Sequence, residues 1–165
     1  MIGLTEASVI RMYTVQKIEI ILTVPSIEET GGWYEQLGWR VHMDTFDKDG
    51  HCLFGSVTRD VTKDVEQGEE LSTVINLSRF AGNPGDYNND HANFTVFMAV
   101  DDVDAIYATA IENGIYAGPA PETQLWGGKT LSIQDLNGFR LTFYQQVETP
   151  TLEEVRQRFE KTQTE

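Results

Sequence analysis

The sequence predicts an α+β fold in which two tandem βαβββ modules form a curved mixed sheet around a cleft, followed by a C-terminal helix. An internal duplication is the main reason. With an offset of 76 residues, residues 19–27 lie over residues 95–103, and Leu37-Gly38 over Asn113-Gly114, without a gap. Both copies are typical of an apolar strand, a turn, a helix and a glycine at the helix end. The chain therefore contains two like halves.

The duplication divides the chain into five parts. We expect an N-terminal extension at residues 1–13, a first module at 14–78, a linker at 79–93, a second module at 94–146 and a helical tail at 147–165. The linker contains Gly, Asn and Pro, which favour turns and irregular connections.

Both module helices have recognisable ends. In the first, Ser26 followed by Glu29 forms a capping box, in which each side chain satisfies a free backbone amide of the other residue. In the second, Asp102 places negative charge at the positive end of the helix dipole. Gly38 and Gly114 supply the left-handed exits.

Three strand-like segments are expected after each helix, because β-branched and aromatic residues there are bounded by turn residues. A turn at 47–50 and a hairpin turn at Asn137-Gly138 separate some of them. The predicted strands are residues 39–45, 52–57 and 71–78 in the first module, and 116–117, 129–134 and 140–145 in the second.

A last helix is predicted beyond the repeat. Thr151 and Glu154 form another capping box, and Leu152, Val155 and Phe159 share one face of the helix. We expect that face to pack on the body of the protein or on a second subunit.

The strands at the opening and close of each module have one apolar face and one mixed face, because successive strand side chains point to opposite sides. A mixed face is either exposed to water, as in many antiparallel sheets, or lines a ligand cleft. The pseudo-two-fold repeat favours a cleft, since it brings equivalent faces together. The candidate ligand-binding residues are Glu19, Ile21, Asn76, Thr95, Phe97, Trp126, Arg140, Thr142 and Tyr144.

Charge and hydropathy exclude several classes of protein. A net charge of −14 repels phosphate backbones, so we expect no nucleic-acid partner. No apolar run reaches the roughly 20 residues of a membrane helix, so we expect no membrane partner. The N-terminus does not resemble a secretory signal, which makes the cytoplasm the expected location. Cys52 is the single cysteine and is expected to pack in the core.

Four segments resemble the vicinal oxygen chelate superfamily, which includes glyoxalase I, extradiol dioxygenases, fosfomycin-resistance proteins and bleomycin-resistance binding proteins. The segments are Trp126-Gly127-Gly128, residues 133–143, residues 100–104 and residues 33–39. The resemblance covers about residues 15–146 and implies the duplicated fold described above. Leu136 stands where the family motif has proline.

The resemblance also implies where a divalent metal would be held. Metalloenzymes of the superfamily use residues at four positions, which here are Glu19, Asn76, Thr95 and Thr142. Only Glu19 is a good ligand, since neutral Thr hydroxyls do not match the His and carboxylate sets of Zn, Ni or Fe. The three histidines, His42, His51 and His91, fall at none of these positions. We therefore expect no metal and no other cofactor.

Two functions from different classes follow. The first is a metal-free binding protein of the bleomycin-resistance type, which sequesters a cationic or planar compound such as an antibiotic and works as a homodimer. The alternative is a lyase, isomerase or dioxygenase with a rearranged metal site, or a metal-free enzyme with Glu19 as its general base. Arg140 is a candidate partner for Glu19 in either case. A role in protein association, through the C-terminal helix, is a third hypothesis. The sequence favours binding over catalysis.

Overall fold

The computed structural model describes residues 19–60, 72–91 and 93–162. The expected N-terminal extension lies outside these residues, as does the start of the third predicted strand. A short 3₁₀ helix at Pro84–Asp86 lies in the linker. The helices and strands are β1 (Ile20–Val24), α1 (Ile27–Glu35), β2 (Arg40–Phe46), β3 (Cys52–Asp60), β4 (Ser72–Arg79), β5 (Thr95–Ala99), α2 (Val103–Glu112), β6 (Glu122–Thr123), β7 (Gly128–Gln134), β8 (Arg140–Gln146) and α3 (Leu152–Thr162).

The strands form two four-stranded mixed sheets, in the orders β1-β4-β3-β2 and β5-β8-β7-β6. In each sheet the opening strand pairs in parallel with the closing strand, and the other pairs are antiparallel. The prediction of an α+β fold built from two βαβββ modules and a C-terminal helix is confirmed.

The prediction of a strand at residues 116–117 is wrong. The second strand of module 2 is instead β6, whose residues pair with Lys129 and Thr130 of β7. Gly118 adopts a positive φ of 65° and Pro119 follows it. Because proline has no N–H to donate, the backbone at this point turns away from a ladder and pairs only further along.

The duplication extends to the hydrogen-bonding register. Ile21 lies opposite Asn76 in the first sheet, and Phe97 lies opposite Thr142 in the second. Ile21 and Phe97 are 76 residues apart, whereas Asn76 and Thr142 are 66 apart, so the second module is ten residues shorter between its first and last strands. A tight turn shortens it: Asp135 N donates to Phe139 O at 2.9 Å across the β7–β8 hairpin.

The first helix begins after Ser26, as predicted, but the carboxylate that bonds to Ser26 is not the predicted one. Ser26 is the N-cap, and its Oγ accepts from Glu29 N at 3.1 Å. The carboxylate that engages Ser26 Oγ belongs to Glu28, not Glu29. The other oxygen of Glu28 accepts from Cys52 N at 2.6 Å. Glu28 therefore ties the start of α1 to β3, a tertiary contact that the local pattern does not show.

The other predicted helix ends are confirmed. Asp102 caps α2 by accepting a first-turn backbone N–H at 2.9 Å. Gly38 and Gly114 have φ values of 80° and 72°. Thr151 and Glu154 form the reciprocal capping box before α3, at 3.3 and 2.7 Å.

The apolar strand faces and the helices pack into one hydrophobic core that contains residues of both modules. Cys52 is fully buried in it. The alternation that buries Val96 and Met98 also predicts a buried Phe94, but Phe94 is exposed and lies before the first residue of β5. The core includes Leu22, Val24, Ile75 and Leu77 from module 1 and Val96, Met98, Leu141 and Phe143 from module 2.

The C-terminal helix is held by a polar anchor. Leu152 is 90% exposed and Phe159 is also exposed, so the expectation that this face packs on the body of the chain is wrong for these two residues. Arg158 on the same helix reaches Glu148 at 2.8 Å and the backbone oxygen of Leu125 at 3.3 Å. Packing against a second subunit stays a prediction.

Among the helices in the described part of the chain, none has the length and apolar character needed to cross a bilayer.

Candidate functional site

The mixed face of the second sheet carries six of the nine candidate residues. Thr95 lies opposite Arg140, and Phe97 lies opposite Thr142. Tyr144 follows two residues later on the same strand, so its side chain points to the same side. Trp126 reaches this side from the loop before β7, where its ring contacts that of Tyr144. The strand period alone places five of the six on one surface.

Three aromatic rings form a continuous row on this surface. The rings of Phe97 and Tyr144 are stacked, with centroids 5.4 Å apart and planes 27° apart. The rings of Trp126 and Tyr144 lie 5.3 Å apart with a tilt of 45°. Phe97 is 58% exposed and Trp126 is 37% exposed. We call Phe97, Tyr144 and Trp126 the aromatic row.

Two glycines allow Trp126 to lie against the sheet. A Cβ on Gly128 would overlap the six-membered ring of Trp126, so the indole rests over this residue. Gly127 has a φ of 86°, and a Cβ there would overlap the backbone oxygen of Glu148. The backbone oxygen of Gly127 accepts from Glu148 N at 2.9 Å. Glycine is needed at both positions, which explains the Trp-Gly-Gly sequence in physical terms.

The remaining candidates lie on the equivalent face of the first sheet. Ile21 is 54% exposed and lies opposite Asn76. Glu19 is exposed and immediately precedes β1, so the strand period places it on the same side as Ile21. Thr23 and Ser78 continue this face and share a hydrogen bond of 3.0 Å.

The structure therefore brings the candidate residues together in two groups, one on each sheet. Among the described residues, the ring contacts and hydrogen bonds of the second group lie within its own module, for example that of Ser132 with Thr142 at 2.9 Å. A single cleft lined by both groups stays a prediction.

The four positions that would hold a metal do not fit one. Glu19 and Asn76 lie on the first sheet, and Thr95 and Thr142 on the second. Thr142 already shares a hydrogen bond with Ser132, and a neutral hydroxyl is a poor ligand for Zn, Ni or Fe. In residues 19–60, 72–91 and 93–162, His, Cys, Asp and Glu do not form a group of three or more placed to bind a metal.

The structure contains a buried polar junction between the modules that the sequence analysis did not predict. Tyr34 of α1 donates from its hydroxyl to Asp135 Oδ2 at 3.3 Å, and Asn137 donates to Thr30 Oγ1 at 2.9 Å. Asp135 Oδ1 also accepts from the backbone of Asn137 and Phe139 at 2.9 and 2.8 Å. All four polar side chains are buried. The Asp-x-Asn-Gly turn was visible in the sequence, but its partners on α1 were not.

Burial sets the ionisation of this junction. It raises the pKa of Asp135, against the lowering effect of the two backbone N–H groups and of the Tyr34 hydroxyl. Burial, and then the charge of Asp135, raises the pKa of Tyr34 well above its ordinary value. The phenol therefore stays a proton donor across the physiological range.

The linker closes over the same junction. The Tyr87 hydroxyl donates to Thr23 O at 2.8 Å, and His91 lies within hydrogen-bond distance of that hydroxyl at 3.1 Å. The ring of His91 stacks on Phe139 with centroids 3.9 Å apart. Burial, and then the charge of Asp135, raises the pKa of Tyr87 to about 12. His91 therefore packs between the linker and the second module.

Comparison with known proteins agrees with this architecture. The model of the Glyoxalase/Bleomycin resistance protein/Dioxygenase superfamily matches residues 16–143. The curated proteins compared with the chain gave no match.

Several solved structures share the fold. A glyoxalase-related enzyme from Clostridium phytofermentans is 22% identical, with a TM-score of 0.61 over 83% of this chain and 99% of that chain. A bleomycin resistance determinant encoded on the transposon Tn5 is 20% identical, with a TM-score of 0.57 over 79% and 98%. A bleomycin-binding protein complexed with bleomycin is 20% identical, with a TM-score of 0.53 over 79% and 98%. The family model covers most of the chain, and the duplicated modules with their two four-stranded sheets agree with it. The chain therefore belongs to the Glyoxalase/Bleomycin resistance protein/Dioxygenase superfamily.

Proposed function

We propose that this protein is a metal-free binding protein that sequesters a planar or cationic small molecule, such as an antibiotic, in the cytoplasm. The observation that carries the proposal is the aromatic row, in which Phe97, Tyr144 and Trp126 present touching rings to the exterior. Exposed contiguous apolar surface of this kind marks a binding site more often than isolated apolar residues do.

The row has the chemistry that such a ligand requires. Aromatic faces carry partial negative charge, so they attract cations and pack well against flat rings. Each cation–π contact contributes about 0.5–2 kcal/mol. The net charge of −14 adds a long-range attraction for cationic molecules. A solved structure of the same fold is that of a bleomycin-binding protein in complex with bleomycin.

The polar residues around the row suit orientation of a ligand rather than covalent chemistry. Ser132 and Thr142 lie beside the rings, where their hydroxyls donate or accept hydrogen bonds. Ligand sites are typically apolar surfaces with a small number of polar groups that fix the orientation of the ligand. The donor set at the four metal positions supports the metal-free part of the proposal.

We also propose that the protein acts as a homodimer. Both sheet faces expose large apolar side chains, among them Ile21 on the first sheet and Phe97 on the second. A second copy that covers these faces would remove them from water and enclose a ligand lying on the row.

The proposal is tested by thermal unfolding and metal analysis of the full chain. At a fixed concentration of about 1 mM N-methylacridinium, a Kd of about 10 μM would stabilise the protein by about 2.7 kcal/mol, which raises the Tm by roughly 5–10 °C for a domain of this size. Elemental analysis of the purified protein should find no stoichiometric Zn, Ni, Mn or Fe. An unchanged Tm would contradict the binding function, and a stoichiometric metal would favour the enzymatic alternative.

A further inference from the structure

A small cavity lies beside the aromatic row on the same face of the second sheet. Its volume is about 220 Å³. Thr130 and Ser132 of β7 line it, and these residues lie opposite Tyr144 and Thr142 of β8. Since neighbouring strands are about 4.8 Å apart, the cavity begins one strand away from the ring of Tyr144.

The charge of the cavity is negative. Glu122 is the one ionisable residue among those that line it, and β6 places it opposite Thr130. The nearest basic residue in sequence, Lys129, points to the other side of the sheet, where its Nζ lies 2.5 Å from Asp104 Oδ2. Lys129 therefore does not neutralise Glu122.

The polar lining of the cavity is rich in hydrogen-bond acceptors. Gln124, Thr130 and Ser132 line the cavity together with Glu122, and each of their side chains offers an oxygen acceptor, while the ionised carboxylate of Glu122 only accepts. An ammonium group has three N–H donors and no acceptor. This lining therefore suits a protonated amine better than it suits an anion.

The size of the cavity sets which part of a ligand enters it. Pockets that take a whole drug-sized molecule measure about 300–1,000 Å³. The cavity is smaller, whereas the row beside it is exposed. A ring system fits the row, and only a short substituent fits the cavity.

We propose that the ligand has two parts, a planar ring that lies on the aromatic row and a short aminoalkyl arm whose ammonium group enters the cavity beside Glu122. This inference rests on the proposed function and makes Glu122 the residue that selects for charge. The ring supplies most of the affinity, and the carboxylate discriminates between cationic and neutral arms.

The test uses two matched probes at about pH 7. N-(1-naphthyl)ethylenediamine carries a protonated arm, and N-ethyl-1-naphthylamine has the same ring with a neutral arm. Isothermal titration calorimetry should show that the wild-type protein prefers the charged probe. Glu122→Gln should lower affinity for the charged probe about two- to fivefold, as expected for a partly exposed ion pair, and leave the neutral probe unchanged.

The control is Glu112→Gln, which changes the net charge equally at an exposed position on α2. It should leave both affinities at the wild-type value. An equal effect of the two substitutions would overturn the inference, because general electrostatic attraction would then explain any preference.

The failure of the inference is distinguishable from that of the proposed function. If both probes bind equally and Trp126→Ala weakens both, the binding function stands and the charged subsite is wrong. If neither probe binds the wild-type protein, both proposals are wrong.

Discussion

The hydroxyl of Tyr34 and the carboxylate of Asp135 meet in a hydrogen bond of 3.3 Å between residues that are 101 positions apart. Tyr34 lies on the helix of the first module and Asp135 on the last hairpin of the second. Both side chains are buried. This contact fixes the helix of one half against the turn of the other and so contributes to the relative position of the two sheets.

Tyr34→Phe should destabilise the protein. The substitution leaves a buried carboxylate with one donor fewer, which costs about 1–3 kcal/mol. Urea unfolding at about pH 7 measures the change, with the exposed Tyr116→Phe as the control. A loss no larger than that of Tyr116→Phe would show that the hydrogen bond does not hold the modules together.

The cost of Tyr34→Phe should also depend on pH. Because the folded pKa of Asp135 is raised, its contribution to stability is largest below the ordinary value of 3.8 and is lost as the pH rises through the folded pKa. The Tyr34 hydroxyl offsets this loss by stabilising the ionised form. The difference between wild type and variant should therefore grow with rising pH, and a constant difference would contradict this assignment.

Glu28→Gln should weaken the attachment of α1 to β3. The backbone N–H of Cys52 is the main cause of the lowered pKa of Glu28, so the ionised form stabilises the fold. Bonds to charged acceptors are stronger than neutral ones, and water partly screens this half-buried group, so we expect a loss of about 1 kcal/mol.

That contribution is present above the ordinary pKa of 4.5 and is lost as the pH falls through the folded value. Urea unfolding curves of Glu28→Gln and wild type should therefore converge in acid. The neighbouring Glu29→Gln is the matched control, because it is exposed and its side chain does not engage Ser26. Equal losses for the two variants would contradict the role given to Glu28.

Gly128→Ala should disrupt the aromatic row with a single methyl group. The new Cβ would overlap the indole of Trp126, which must swing away from Tyr144. Affinity for N-methylacridinium should fall by about two- to thirtyfold, the equivalent of one lost aromatic contact. Gly32→Ala is the control, since nothing lies within 4 Å of its added Cβ. Unchanged binding by Gly128→Ala would exclude Trp126 from the site.

Arg158→Gln tests whether the C-terminal helix supports the row. Arg158 bonds to the Glu148 carboxylate and to the backbone oxygen of Leu125. Leu125 precedes Trp126 in the sequence, and the backbone of Glu148 lies against Gly127, which follows it. The stability loss should be about 0.5 kcal/mol, as for other exposed ion pairs. Calorimetry with N-methylacridinium should nevertheless detect weaker binding. Arg156→Gln, which removes only a pair with Glu160 on the same helix, should bind as wild type does. Equal affinities for the two variants would contradict the supporting role.

The strand faces were predictable because they depend on local periodicity. Ile21, Asn76, Phe97 and Thr142 occupy mixed faces since strand side chains alternate, and the 76-residue offset relates the opening strands of the two modules. The capping residues were predictable for the same reason, as their partners are three residues away.

Contacts between distant segments were not predictable in this way. Nothing local pairs Tyr34 with Asp135, or Glu28 with the backbone N–H of Cys52. The position of β6 depends on how the Gly118-Pro119 segment turns, which decides where backbone groups are free to pair. The contact of Trp126 with Tyr144 requires the indole to lie over Gly128, a feature of the folded loop.

The central claim is that the aromatic row binds a planar ligand. Isothermal titration calorimetry with N-methylacridinium on the wild-type protein, Phe97→Ala, Trp126→Ala and the 88% exposed control Tyr116→Ala tests it most directly. We expect both row substitutions to raise Kd by about two- to thirtyfold and Tyr116→Ala to leave it unchanged. Equal Kd values for all four proteins would contradict the claim.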